Sequence, residues 1–267
     1  MPELPEVETV VRQLKRHVLG QVVKRLVVLD SKLKCFAPSA LRSTLVQKVY
    51  RDGKQIVFHL KSEDGQSLYL WVHLRMTGQL LWFEQAPSVQ AHERARLTLS
   101  KGVIVFADMR RFGTMKLSKD DKQYTAKGVD PLSRSFTQAK LSSLMARSAT
   151  PIKPWLLRQD CLVGLGNIYA CEALFIAHIS PLRPAKEIKS EEAKRLHNAI
   201  KKVLKQALQF GGTTFINFAN AEGGSGEFAK RLLVYGKEGQ SCTLCGTTIE
   251  RVVQQGRSTH FCPTCQQ

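Results

Sequence analysis

Apolar residues recur at helical spacing soon after the chain begins: Val7, Val10, Val11, Leu14 and Val18 share one face, and Gly20 follows where a helix stops. The spacing predicts one amphipathic helix. From Gln21 to about Leu117 the pattern changes to short alternating runs rich in β-branched residues, at 21–29, 55–60, 67–73, 95–100 and 103–107. Turn pairs such as Asp52-Gly53 and Lys101-Gly102 separate them, which predicts an antiparallel sandwich or barrel.

A loop-like stretch at 128–135 carries Pro131 and marks a domain boundary, beyond which helical patterns take over. Leu196, Ile200, Val203, Leu204, Ala207 and Leu208 form an apolar stripe in a helix entered near Ser190 and ended by Gly211-Gly212. Its opposite face carries Lys194, Arg195, Lys201, Lys202 and Lys205, which by default is solvated. The expected class is α+β: an N-terminal antiparallel β-sandwich with a leading helix over 1–130, a helical domain over 131–236, and a small cysteine-bearing β-hairpin over 237–267. The chain shows no internal repeat and no low-complexity tract.

Composition adds a charge bias. Forty Lys and Arg against 22 Asp and Glu give a formal net charge of +18, which favours a polyanionic partner because basic side chains release condensed counterions from phosphates. The plain alternative is a generally basic surface. The most apolar segment, 68–74, is too short to span a membrane and contains His73. The N-terminus, Met-Pro-Glu-Leu-Pro-Glu, is acidic and leads into no apolar run, so it does not read as a secretory signal, and a cytoplasmic protein is expected.

Four of the seven cysteines form two Cys-x-x-Cys pairs, Cys242/Cys245 and Cys262/Cys265, separated by sixteen residues. Each pair makes a tight knuckle offering two thiolates, and two knuckles close a tetrahedron around zinc, with Zn–S near ~2.3 Å. Segments 248–253 and 258–261 then read as the strands of a hairpin with Gln255-Gly256-Arg257 at its tip. So little apolar mass is not expected to fold without the metal, and a closed site makes one zinc ion structural. Two disulfides in a secreted protein are the alternative; it fits poorly with the missing signal. Cys35, Cys161 and Cys171 are expected to be reduced and structural.

Taken together, Met1-Pro-Glu-Leu-Pro-Glu-Val-Glu-Thr9, His73-Leu-Arg-Met-Thr-Gly78, Arg110-Arg-Phe-Gly113, Gly164-Leu-Gly-Asn-Ile-Tyr169, Val234-Tyr-Gly236 and the cysteine pairs resemble the formamidopyrimidine-DNA glycosylase family, from one terminus to the other. The resemblance implies a bifunctional base-excision repair enzyme that removes oxidised purines and then cleaves the strand by β,δ-elimination. It also implies a helix-two-turn-helix in the second domain, duplex DNA with oxidised purines or abasic sites as partner, and a monomer.

The chemistry of the terminus agrees with that implication. Loss of Met1 would leave Pro2 as a secondary amine, and terminal amines titrate near ~7.7–8.0, so an appreciable fraction is nucleophilic at neutral pH. Attack on a sugar C1′ gives an iminium with no N–H proton to lose, a lasting electron sink that needs no redox cofactor. The resemblance assigns Pro2 as the Schiff-base nucleophile and Glu3 as proton donor to the opening sugar. Alone, Pro2 and Glu3 would simply start the first helix. Lys54 matches the lysine that assists β-elimination, and Arg257 the arginine that grips phosphate and assists δ-elimination; alone, either would be solvated surface. Met76, Arg110 and Phe112 match the side chains that fill the hole left by an everted base, where apolar wedges replace lost stacking. Without the resemblance Met76 and Phe112 would pass for core. Asn167, in the interhelical turn, matches a phosphate ligand, and His92, Arg111, Lys153, Tyr235 and Lys237 match DNA-backbone contacts.

The related endonuclease VIII enzymes, which prefer oxidised pyrimidines, usually carry Gly where this chain has Leu4. This chain also keeps the Gly-rich segment 213–228, which in the purine enzymes closes over the lesion and whose composition suits a lid. A non-catalytic damaged-DNA-binding protein is a further reading, but degeneration should show first at Pro2, Glu3 or Lys54, and all three are present. A zinc-ribbon component of transcription or translation machinery would leave the N-terminal half unexplained.

Overall fold

The structure, a computed structural model, describes residues 1–33, 36–215 and 218–267. Cys35, expected as a reduced structural cysteine, and two residues of the 213–228 segment lie outside them. The chain forms two compact units: Met1–Thr125 with Phe210–Ala229, and Ala126–Gln209 with Lys230–Gln267.

The first unit opens with helix α1 (Leu4–Val18). Val7, Val10, Val11, Leu14 and Val18 are all buried, so the sequence stripe is the packed face. Burial of each such side chain is worth about 1.5–3 kcal/mol. Strands β1 (Val23–Val28), β2 (Leu45–Asp52), β3 (Gln55–Lys61), β4 (Ser67–His73), β5 (Gly78–Phe83), β6 (Glu93–Leu99), β7 (Val103–Asp108) and β8 (Thr114–Ser118) form two four-stranded sheets, in the orders β1-β6-β7-β5 and β2-β3-β4-β8. Every pairing is antiparallel. Leu80, Ala95, Leu97, Ile104 and Phe106 of one sheet face Phe58, Leu70, Val72 and Met115 of the other, and α1 packs into the same core. This is the sandwich the alternation predicts, and β6 shows that alternation at its strictest, buried at every second residue.

Segment 210–229 belongs with this unit because its backbone is held there. Thr213 pairs with Glu227, Ala221 N–H donates to the Gln13 side chain at 2.8 Å, and Trp82 N–H donates to Ala221 O at 2.7 Å.

The second unit contains helices α2 (Gln138–Met145), α3 (Ile152–Leu156), α4 (Asn167–Ile176) and α5 (Ser190–Gln209), then strands β9 (Glu250–Gln254) and β10 (Arg257–Phe261). Helix α5 runs where the stripe predicts, ending just before Gly211. Helix α4 is buried along nearly its whole length; Cys171 and Phe175 pack with Val234, Cys242, Ile249 and Cys262, which seats the terminal hairpin on α4. No helix among the described residues is long and apolar enough to cross a membrane.

Candidate functional site

At the N-terminus the helix begins at Leu4, with Glu3 as its cap and Pro2 outside it. Glu3 and Glu6 form a reciprocal capping box: the Glu3 carboxylate accepts from the Glu6 backbone, and Glu6 Oε2 accepts from Glu3 N–H at 2.7 Å. The other oxygen of Glu6 accepts from Thr213 N–H at 2.7 Å. Gly212 is required beside it: φ is +88° and a Cβ would stand 2.8 Å from Glu6 Oε1. One buried carboxylate therefore ties the chain start to the base of the 213–228 segment. Pro2 and Glu3 are both buried, while Met1 is 41% exposed. Glu6 was not singled out from sequence; its position three residues after a cap is the signal that marks it.

Lys54 is the second residue of the Gly53-Lys54 turn between β2 and β3 and is buried. That turn is fixed to α1 through Arg51, whose Nε meets Glu8 Oε2 at 3.1 Å while Nη1 donates to Gly53 O at 3.1 Å. Both the N-terminal residues and the Lys54 turn are thus anchored to the first turns of α1. His73 pairs with Gln55 across β3 and β4, and burial, then the charges of Arg75 and Lys54, push its imidazole down to about 3. The ring is neutral at any working pH, and its Nδ1 accepts from Arg75 N–H at 3.0 Å, bracing a residue with φ +54° just before Met76.

Met76 and Phe112 are exposed, at 41% and 49%. Their two loops share a buried carboxylate, Asp108, which accepts from the Thr77 hydroxyl, from Arg110 N–H at 3.2 Å and from Gly113 N–H at 2.7 Å. The Arg110 guanidinium lies 4.8 Å over the Phe112 ring. His92, at φ +59°, is held by Asp108 N–H donating to its carbonyl at 2.9 Å. Arg111 grips Asp30 with both arms, Nε and Nη2 each at 2.7 Å, and this hydrogen bond first of all holds the Asp30 carboxyl down to about 2. Asp108 escaped the sequence reading because a lone Asp at a strand end resembles any turn residue; its carboxylate joins two separate loops, and its main-chain N–H holds a third at His92.

In the second unit Asn167 is the first residue of α4, and its Nδ2 donates to Ser258 O at 2.8 Å. Lys153, expected to reach phosphate, is instead fully buried in α3, with Nζ donating to the same carbonyl at 3.3 Å. Both hold the hairpin strand next to Arg257, which is exposed. Arg257 opens β10; the turn itself is Gln255-Gly256, both at positive φ, a two-residue hairpin turn. Tyr235 packs edge-on against His260, with ring centroids 4.9 Å apart. Its loop is pinned by Glu172, 1% exposed, whose carboxylate accepts the backbone N–H groups of Leu233, Val234 and Tyr235 at 2.8, 3.0 and 2.9 Å. Burial pushes the Glu172 carboxyl up against those bonds. Lys237, half-buried, follows the same loop. Glu172 is a third residue the sequence reading missed.

The sulfurs of Cys242, Cys245, Cys262 and Cys265 lie within 4.8 Å of one another. Leu244 N–H points at Cys242 Sγ and Cys265 N–H at Cys262 Sγ, both at 3.4 Å, the knuckle geometry that stabilises thiolates. All-sulfur donors closing a tetrahedron fit zinc, and with no open position its role is structural. Cys161 and Cys171 are buried free thiols.

A proline-led sandwich, a helical unit and a four-cysteine hairpin define a DNA-repair glycosylase architecture. The N-terminal domain model of formamidopyrimidine-DNA glycosylase matches residues 1–115, the helix-two-turn-helix domain model of that enzyme 127–218, and the zinc finger found in this enzyme and in isoleucyl-tRNA synthetase 239–267. Formamidopyrimidine-DNA glycosylase of Brevibacillus brevis is 40% identical, over 100% of this chain and 99% of its own. The crystal structure of the MutM protein of Thermus thermophilus is similar, with a TM-score of 0.88 and 39% identity over 99% of this chain and 98% of that one. A Lactococcus lactis relative in complex with DNA containing an abasic site matches with a TM-score of 0.90 and 31% identity, over 99% of both chains. The chain belongs to the formamidopyrimidine-DNA glycosylase family, whose members are glycosylases with an associated lyase activity, and it carries that family's fold and structural zinc finger.

Proposed function

We propose that this chain excises oxidised purines from duplex DNA and cleaves the resulting abasic strand, acting as a cytoplasmic monomer. The relatives solved with damaged and abasic DNA support the substrate class. The observation that carries the mechanism is the buried N-terminus, where Pro2 precedes a Glu3–Glu6 capping box whose second carboxylate also holds Thr213. Removal of Met1 would expose the Pro2 nitrogen as the nucleophile. Pro2 attacks C1′ of the damaged nucleotide while Glu3 protonates the ring oxygen; the base leaves, and the iminium acidifies the C2′ proton for β-elimination. Lys54 assists that step, and Arg257 stabilises the departing phosphates for δ-elimination.

Met76, Arg110 and Phe112 fill the vacated stack; the exposure of the two apolar members supports this role. Asn167, Tyr235, Lys237, His92 and Arg111 hold the DNA backbone, and Lys153 serves that grip by fixing the hairpin through Ser258. The working division is a catalytic sandwich over 1–130, a helix-two-turn-helix region over 131–236 whose lesion-covering segment is grouped with the sandwich, and a zinc ribbon over 237–267.

Borohydride trapping with a duplex containing 8-oxoguanine opposite cytosine tests substrate and mechanism together. The expected adduct maps to Pro2, in a protein whose intact mass lacks Met1. Glu3→Gln keeps lesion-DNA affinity and loses base excision by about 10²–10⁴-fold, because the amide supplies no proton. An adduct mapped to a lysine, or active enzyme retaining Met1, overturns the mechanism.

A further inference from the structure

The outward face of the β2-β3-β4-β8 sheet is divided in two. One rung, Tyr50–Val57–Trp71, is roofed: Trp71 Nε1 donates to Ser118 Oγ at 3.0 Å, and the Tyr124 ring packs edge-on at 5.9 Å. Two residues along each strand the roof ends, and the rung Lys48–His59–Tyr69 is open. There His59 and Tyr69 stack face to face, with centroids 4.7 Å apart and planes 10° from parallel. The recess they floor has a volume of about 780 Å³ and is walled by Tyr50, Lys15, Lys48, Asp121 and Lys122.

Three features of this recess select its ligand. Its floor is aromatic where the outer face of an antiparallel sheet is ordinarily polar. Burial first, then the nearby charge of Lys48, push His59 down, which favours its neutral ring, and the parallel stack offers a flat surface. Lys15, Lys48 and Lys122 make no ion pair among the described residues, against the single carboxylate of Asp121, so the rim has surplus positive charge. A stacking floor on adjacent strands with a cationic rim is how sheet surfaces bind unpaired nucleotides.

The recess is separate from the residues proposed for catalysis. The Lys48–His59–Tyr69 rung lies four rungs from Asp52–Gln55–His73, about 14 Å along the strands, and Lys15 is roughly 18 Å along α1 from Glu3.

We propose that this recess is a second nucleic-acid site, binding one unpaired nucleotide with its base over the His59–Tyr69 stack and its phosphate against Lys15, Lys48 and Lys122. The nucleotide comes either free, as a mononucleotide, or from an unpaired strand.

The test uses full-length, zinc-loaded protein with its lesion site occupied by an abasic-analogue duplex. Deoxyguanosine 5′-monophosphate and a short oligothymidylate are titrated separately and followed by saturation-transfer NMR and fluorescence anisotropy. Saturable binding of either probe, weakened about tenfold or more by Tyr69→Ala and by the exposed pair Lys15→Glu/Lys122→Glu, is the expected result. Binding of the mononucleotide assigns the free source; binding of the oligothymidylate alone assigns the strand. The charge-reversed pair lies wholly on the surface, so its fold and duplex affinity should hold. If neither probe binds saturably, or if binding survives both variants, the proposal is overturned.

Discussion

Two short turns present an arginine: the loop after β7, with Arg110, and the hairpin of β9 and β10, with Arg257. They are held by different means. The first sits on a sandwich whose core is complete without it, and one carboxylate, Asp108, ties its backbone to the Met76 loop. The second belongs to a segment with almost no core of its own, organised by four thiols and seated on α4 by a few apolar contacts. In the first region, geometry can be removed and the fold kept. In the second, geometry and fold are the same thing.

The sharpest way to break that contrast is at the metal. Structural zinc contributes about 10–16 kcal/mol of apparent binding free energy in small zinc domains, far above the stability a segment of this size has otherwise. Cys262→Ser, or chelation, should therefore unfold the ribbon, abolish stoichiometric zinc by elemental analysis and remove most duplex affinity, while the melting transition of the first unit stays in place. If metal-free protein binds duplex as tightly as before, the ribbon takes no part in holding DNA.

Asp108→Ala applies the same question to the other region. It strands the Gly113 N–H and the Thr77 hydroxyl, while Arg110 N–H keeps Thr77 Oγ1 at 3.1 Å, and each buried unsatisfied group costs about 1–3 kcal/mol. Thermal unfolding should shift down by several degrees with the sandwich intact, and excision from intact duplex should fall more than cleavage of a pre-formed abasic site. An unfolded variant would mean that this loop, like the ribbon, is part of the fold.

Met76→Ala is milder still. An exposed side chain leaves stability nearly unchanged, so its effect should be confined to intact duplex, where a base must still be evicted. Equal slowing on intact and abasic substrates would return Met76 to an ordinary surface residue.

What the sequence made legible follows the same line. Helices α1 and α5 and the cysteine hairpin rest on local periods and spacings, and they stand where those predict. Strands β2, β5 and β8 were not among the alternating runs: β2 is a partly exposed edge strand with a polar burial pattern, β8 spans only Thr114–Ser118, and β5 follows its motif without a break in pattern. The buried carboxylates Glu6, Asp108 and Glu172 were invisible for a different reason. Each takes a partner from a distant segment, Thr213 for Glu6, Thr77 for Asp108 and 233–235 for Glu172, and local spacing records at most the capping role of Glu6. Lys153 shows the converse, since the motif match reads it as a DNA-backbone contact while its side chain is buried with Nζ donating to Ser258 O.

The smallest expected effect concerns Arg111, whose guanidinium is engaged by Asp30 in this structure yet is proposed to meet DNA phosphate. The Asp30 carboxyl titrates at about 2, below its unfolded value near ~3.9. A depressed carboxyl stabilises the fold above the unfolded value, and that contribution is lost as pH falls from about 4 through about 2. Arg111 is 43% exposed, so solvent screens the pair and its contribution to stability is small, and at neutral pH the bridge is fully formed. Asp30→Asn should therefore barely move the neutral melting temperature and should flatten its decline in acid. Its effect on DNA decides the matter: a released Arg111 that reaches phosphate makes the dependence of log affinity on log salt steeper by up to about 0.9, one more counterion released. An unchanged salt slope in Asp30→Asn, together with an unchanged slope in Arg111→Ala, would assign Arg111 to the loop's architecture and remove it from the DNA contacts.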